Sequence, residues 1–183
     1  MEHDLIRAAQ HGDQAAFIDL IRPRSDRLFA IALQILRDID RAEDALQDAL
    51  VIAWRDLRGL RDPDRLDAWL RKLLVNICIR EASRQRRRAV NLMVLPVDGP
   101  AAPDDLLSIA DRDQLERGFR RLPPDHRAIL VLHHFLGYSH NEIAETLGIP
   151  PGTARSRLFN AHRAMRAALE ADARLSVVGG RSA

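Results

Sequence analysis

A chain of 183 residues that is 46% hydrophobic and 30% charged, with a net charge of +2, has apolar material for one ordinary domain or two small ones and too much for a disordered segment. The single cysteine, Cys78, excludes an internal disulfide and with it the disulfide-stapled secreted class. The opening Met-Glu-His-Asp puts acids where a secretory leader carries bases, and no apolar run reaches the about 18 residues of a membrane span, so a soluble cytoplasmic protein with no membrane insertion is expected.

Apolar residues recur at helical spacing almost throughout, and no sustained period-two alternation marks a strand, so the pattern predicts an all-α fold. Residues 12–37 read as helix, with Phe17, Leu20, Ile21, Leu28, Ile31, Leu33 and Ile35 apolar and Pro23 set to kink or divide it. Residues 41–58 carry Leu46, Ala49, Leu50, Ala53, Trp54 and Leu57 on one stripe and Glu43, Asp44, Gln47 and Asp48 opposite. A Gly/Pro loop over 58–64 leads to a third helix, 65–86. It turns Leu66, Trp69, Leu73, Leu74 and Ile77 inward and ends in Arg84, Arg86, Arg87 and Arg88. Trp54 and Trp69 fall on the apolar stripes and are expected in the core, as is Cys78 beside Ile77.

Residues 89–110 change character. Pro96, Gly99, Pro100 and Pro103 break helix, and Asp98, Asp104 and Asp105 stand without a base. Such a segment is a flexible linker. Four more helical stretches follow, at 111–121, 125–136, 139–147 and 152–172. The organisation expected is two small helical domains, 1–88 and 111–172, joined by the Pro-rich linker 89–110 and followed by a tail over 173–183.

Residues 139–165 carry the sharpest pattern. Ser139 with Glu142 three positions on is a capping box, Ile143, Ala144 and Leu147 form a buried side, and Gly148 supplies the positive φ that ends the helix. Pro150, Pro151 and Gly152 precede a helix from about Thr153, with Ala154, Leu158, Ala161 and Met165 inward. Two helices about a tight glycine turn are a DNA-binding helix-turn-helix, whose second helix enters the major groove. Arg155, Ser156, Arg157, Phe159, Asn160 and Arg163, with Thr153 at the start, offer phosphate donors, base-edge donors and an apolar group for thymine methyls. The bland reading is a helical hairpin with a solvated arginine face.

These residues resemble the extracytoplasmic-function (ECF) group of bacterial RNA polymerase sigma factors, in the sigma-70 family. In the C-terminal half the match runs through Leu122-Pro123-Pro124-Asp125-His126-Arg127, Leu130, Leu132, Gly137-Tyr138-Ser139, Glu142-Ile143-Ala144, Leu147-Gly148, Gly152-Thr153 and Arg155-Ser156-Arg157-Leu158. In the N-terminal half it runs through Gly12-Asp13-Gln14-Ala15-Ala16-Phe17, Ala42-Glu43-Asp44, Gln47-Asp48, Trp54, Ala68-Trp69-Leu70, Asn76 and the arginine cluster. The resemblance covers roughly residues 4–88 and 111–170.

It implies a promoter-specificity subunit that binds core RNA polymerase through its β′ clamp and β subunits, and promoter DNA. The 1–88 domain would bind the clamp through Asp44, Gln47 and Asp48 and melt the −10 element. The loop 58–66, with Arg61, and the helix bearing Asn76 and Arg80 would hold the −10 strand with a base out of the stack. Arg84, Arg86, Arg87 and Arg88 would meet duplex phosphates upstream. The 111–172 domain would read the −35 element, and the linker would thread toward the active-site channel and RNA exit path. Family members are commonly held by an anti-sigma factor, and such a partner is expected. The chain departs from the family at Arg80, where Asp or Asn is common, and at Asn160, where Arg is common. Asparagine favours adenine where arginine favours guanine, so the promoter preference is expected to differ.

Four histidines, His126, His133, His134 and His140, fall close together, yet no carboxylate or cysteine completes a metal pattern, and no metal is expected. Without a Gly-rich phosphate loop, a nucleophile elbow or a convincing acid pair, neither enzyme activity nor a cofactor is expected. Two competing readings remain. An autonomous dimeric helix-turn-helix regulator leaves the Gln47/Asp48 face and the arginine cluster without a role. A helical metal-dependent hydrolase lacks ligands.

Overall fold

The computed structural model describes the backbone of residues 2–92 and 109–179 and the side chains of 2–84 and 113–171. The chain divides into two compact units, Met1–Val97 and Asp98–Ala183. Among the described residues there is no strand.

The first unit opens with α1 (Glu2–Gln10), a helix the sequence pattern did not announce, which buries Ile6 and Ala9 against α2 (Gln14–Ile21). Asp13 starts α2 by accepting a hydrogen bond from the Ala16 amide at 3.0 Å. The helix expected over 12–37 divides at Pro23 as anticipated: a 3-10 turn (Arg22–Arg24) separates α2 from α3 (Ser25–Leu36). Side chains repair the interrupted ladder, Arg24 donating to the Leu20 carbonyl and Ser25 to that of Ile21. Arg24 also donates to Asp67, at 2.5 Å, and to Glu2, tying the starts of α1 and α3 to the third expected helix.

Arg37, at φ 58°, ends α3 in the left-handed conformation, and Asp38 caps α4 (Ile39–Asp56) through the Arg41 amide. Four alanines, Ala42, Ala45, Ala49 and Ala53, form the buried line of α4, followed by Leu57. The expected stripe is thereby corrected. Leu46 and Leu50 are half-buried, and Trp54 is 37% exposed, its ring edge-on to Phe17 with centroids 5.1 Å apart. Small residues let α4 lie close to α3 and α5, which leaves the larger neighbours at the rim of the contact. Helix α5 (Leu66–Leu92) buries Leu66, Leu70, Leu74, Val75, Ile77 and Cys78, while Trp69 and Leu73, expected inside, are half-buried.

In the second unit α6 (Ile109–Arg121), α7 (Pro124–Leu130) and α8 (His140–Leu147) all pack against α9 (Pro151–Gly179). Gly118 lets α6 approach closely: a Cβ there would stand 3.1 Å from side-chain atoms of Leu169 and Met165. The helix expected over 125–136 ends at Leu130 and continues as a π-helical turn, Val131–Phe135, before Gly137 turns the chain at φ 69°. Helix α5 runs to Leu92 and α6 starts at Ile109, so both margins of the stretch expected as linker are helical; its middle, 93–108, lies outside the described residues. The side chains of Arg86, Arg87 and Arg88 lie outside them too, as do those of the expected tail over 173–183.

Candidate nucleic-acid interface

The α8–α9 pair is built as a helix-turn-helix from its own local chemistry. Ser139 and Glu142 cap each other reciprocally: the Ser139 hydroxyl accepts from the Glu142 amide at 3.3 Å, and the Glu142 carboxylate accepts from the Ser139 amide at 2.8 Å. Gly148, at φ 64°, closes α8 with its amide on the Ala144 carbonyl, which the Ile149 amide also reaches at 3.0 Å. Ala154, Leu158, Ala161 and Met165 of α9 are buried, the inward line the spacing predicts. On α8, Ile143 and Ala144 are buried as expected, joined by Thr146, while Leu147 is half-buried.

That packing turns the polar set outward. Arg155, Ser156, Arg157, Asn160 and Arg163 are exposed, Thr153 is half-buried, and Phe159 is 66% exposed, a large apolar side chain that the fold does not cover. The first turn of α9 holds no acid, which leaves its helix dipole unopposed toward a phosphate. The surface offers forked cationic donors, a bidentate amide and an apolar ring on one helix.

In the first unit, Asp44, Gln47 and Asp48 are exposed together on α4, and Val51, one turn beyond Gln47, is 61% exposed on the same side. Val51 falls off the apolar stripe of 41–58, which is the sequence signal of its exposure. On α5, Asn76 is half-buried and its carbonyl accepts from Arg80 Nε at 3.3 Å, while Arg84 pairs with Glu81 at 3.3 Å. Arg61 is exposed on the loop between α4 and α5. Asp62 shapes that loop by accepting from the Asp64 amide at 3.1 Å, opening a 3-10 turn at Pro63–Arg65.

Helix α1 reaches the same loop. Gln10 Nε2 donates to the carbonyls of Leu57 and Leu60 at 3.1 and 2.9 Å, and Arg58 Nε donates back to the Gln10 carbonyl at 3.0 Å. His3 meets Asp64 at 2.9 Å. None of these α1 contacts was foreseen, since they join residues about fifty or more positions apart.

The histidines regroup as well. His134 Nε2 stands 2.7 Å from Nε2 of His162, a residue the sequence pattern did not include, and His133 bonds the Tyr138 carbonyl through Nδ1 at 2.9 Å. The His140 ring lies 5.9 Å from that of His133. Burial, then the charges of His133 and His162, push the His134 pKa below its ordinary value. Among the described residues no group of three or more His, Cys, Asp or Glu is placed to hold a metal ion. Cys78 is buried, and burial pushes its thiol pKa up to about 12. No helix among the described residues is long and apolar enough to cross a membrane.

Comparison with known proteins matches residues 20–88 to the family described as Sigma-70 region 2 and residues 112–165 to Sigma-70, region 4. The ECF RNA polymerase sigma factor SigM of Mycobacterium tuberculosis H37Rv is 33% identical over 166 residues, covering 86% of this chain and 79% of that protein. The RNA polymerase sigma-H factor of Pseudomonas aeruginosa is 29% identical over 181 residues, covering 92% and 94%. Among solved structures, the sigma factor RpoE of Bartonella quintana, in complex with the anti-sigma factor NepR, superposes with a TM-score of 0.65 at 26% identity, covering 85% of this chain and 98% of that one. CnrH, in complex with the cytosolic domain of CnrY, superposes with a TM-score of 0.62 at 27% identity, covering 93% and 98%.

Proposed function

The chain belongs to the ECF group of sigma-70-family RNA polymerase sigma factors, proteins that direct core polymerase to promoters, and from that premise we propose how its residues divide the work. The observation that carries the reading is one chain with a region-2 match over 20–88 and, after it, a helix-turn-helix inside a region-4 match over 112–165. Residues 1–88 act as the core-binding and −10 domain, 89–110 as the linker, 111–172 as the −35 domain and 173–183 as a tail.

In the −35 domain, Arg155, Arg157 and Arg163 hold phosphates or guanine edges, Asn160 pairs with an adenine edge, and Phe159 packs on thymine methyls. Thr153 and Ser156, at the start of the same helix, supply hydroxyls. In the −10 domain, Arg61, Asn76 and Arg80 hold the displaced strand, and Arg84, Arg86, Arg87 and Arg88 meet the duplex upstream. Pocket contacts and backbone charge pairing offset the unstacking of the captured base, so opening needs no ATP. Asp44, Gln47 and Asp48 form the face that meets the β′ clamp, with Val51 adding an apolar contact at its edge. The protein has no catalysis of its own in this scheme, and it works in the cytoplasm where core polymerase is found.

Control by an anti-sigma factor follows from the relatives, two of which are known in complexes of that kind or with a cytosolic partner domain. The test is in-vitro transcription by core polymerase plus this chain over a randomised promoter library. Enrichment of a two-part −35/−10 sequence is expected. Transcription that ignores sequence at both positions would refute the reading.

A further inference from the structure

The loop assigned to the −10 strand is short and largely solvent-facing. Between Leu57 and Leu66 it has two short 3-10 turns, and Arg61, Asp62, Asp64 and Arg65 are all exposed. A loop that must capture an unstacked base gains affinity when it is ordered before the base arrives, because the ordering cost is then met on folding rather than on binding. Local turn chemistry gives each half one short turn, the Leu60 amide donating to Leu57 O at 3.0 Å in the near half and the Asp64 amide to Asp62 in the far half.

Helix α1 adds a reciprocal latch to the near half. The end of α4 leaves carbonyls without helical partners. Leu57 O is reached by the Leu60 amide at 3.0 Å and by Gln10 Nε2 at 3.1 Å, and the same Gln10 amide reaches Leu60 O at 2.9 Å. In exchange, Arg58 brings its cationic Nε to the Gln10 carbonyl at the C-terminal end of α1, where the helix dipole favours positive charge. Gly12, at φ 99°, turns the chain directly after α1. The forked amide of Gln10 matches two carbonyls three residues apart, which a single-donor side chain would not do.

We propose that Gln10 is a positioning residue for −10 recognition: its side-chain amide fixes Leu57 and Leu60 and so presents the loop carrying Arg61 to the displaced strand. The proposal rests on the assignment of this loop to the −10 element. Gln10 touches no DNA itself. It acts through the loop, so its loss should loosen base selection at −10 and leave polymerase binding and −35 readout in place.

The experiment uses holoenzyme assembled from core polymerase and the full chain carrying Gln10→Glu or Gln10→Ala. Gln10→Glu keeps size and helix propensity but replaces both donated N–H groups by an acceptor; Gln10→Ala removes the group. Three affinities are measured: for core polymerase, for a −35 duplex, and for single-stranded −10 oligonucleotides with each base varied. Both variants are expected to bind the preferred −10 strand about tenfold more weakly, with a flattened base preference, because a part-buried pair of hydrogen bonds is lost. Core and −35 affinities are expected to match wild type. Unchanged −10 affinity and preference in either folded variant would overturn the proposal. So would a parallel loss of all three affinities, which marks a purely structural role. Failure of the loop assignment reads differently: wild-type holoenzyme would then show no base preference on the −10 strand.

Discussion

Cys78 and His134 have surroundings that alter their chemistry. Cys78 is 0% exposed and its thiol is pushed up to about 12, so at neutral pH it is protonated and shielded. A thiol reagent should leave the folded chain unlabelled and label it once denaturant is added; prompt labelling without denaturant would mean that α5 opens readily. For His134 the folded pKa lies below the ordinary 6.5, so the unfolded chain binds the extra proton more readily. Burial first, then the neighbouring His133 and His162, disfavour the charged form, so neutral His134 contributes stability that is fully present above 6.5 and is lost as pH falls through the folded-state pKa. His134→Gln, whose amide can still bond His162, should reduce the fall in melting temperature between about pH 7.5 and 5.5. Identical slopes in the two proteins would exclude His134 as a source of pH dependence.

At the scale of elements, α4 and α9 use the same device for different ends. Each carries a line of small residues at spacings of three and four: Ala42, Ala45, Ala49 and Ala53 on α4, Ala154 and Ala161 beside Leu158 on α9. Small residues bring backbones close and turn the remaining faces outward, which is how Asp44, Gln47 and Asp48 become available on one helix and Arg155 to Arg163 on the other. Ala49→Leu should overpack the contact and destabilise the first unit by about 1–3 kcal/mol in chemical unfolding. A loss under a few tenths would show that α4 has slack against α3 and α5. The alanine line also explains why Trp54 lies at the rim. With the contact closed by methyl groups, no space remains for an indole, and the ring rests edge-on against Phe17.

Across the whole molecule, the two surfaces proposed for core polymerase and for the −35 element fall in different units. Asp48 lies in the unit Met1–Val97 and Arg157 in Asp98–Ala183, so a change at either should leave the other activity intact. Arg157→Ala is expected to reduce −35-dependent transcription about tenfold, in line with the loss of a bidentate base or phosphate contact, while core polymerase still binds normally. Asp48→Arg is expected to do the reverse, weakening core binding while leaving −35 duplex affinity as it is. Transcription assays paired with polymerase pull-down affinities separate the two. Loss of core binding by Arg157→Ala, or unchanged core affinity in Asp48→Arg, would break the division of labour. The net charge of +2 conceals this arrangement, because it averages an acidic face on α4 with a basic one on α9.

The sequence by itself determined the caps, the turns and the inward line of the helix-turn-helix. Ser139 with Glu142, the glycine at 148 and the spacing of Ala154, Leu158, Ala161 and Met165 were enough to specify the helix-turn-helix, because caps, turns and buried faces depend on residues within a few positions of one another. Pro23 likewise divided its helix in the way its missing amide requires. Tertiary structure decided the rest. Helix α1 is nine residues with two buried side chains, too short a pattern to read alone; besides packing on α2 it is held where Glu2 meets Arg24 and Gln10 meets Leu57 and Leu60, farther along the chain. The His134–His162 pair spans 28 positions, and the rim position of Trp54 follows from how closely two other helices approach. Contacts at such separations leave no periodic trace in the sequence, since either residue is acceptable where it stands until the fold brings its partner to it.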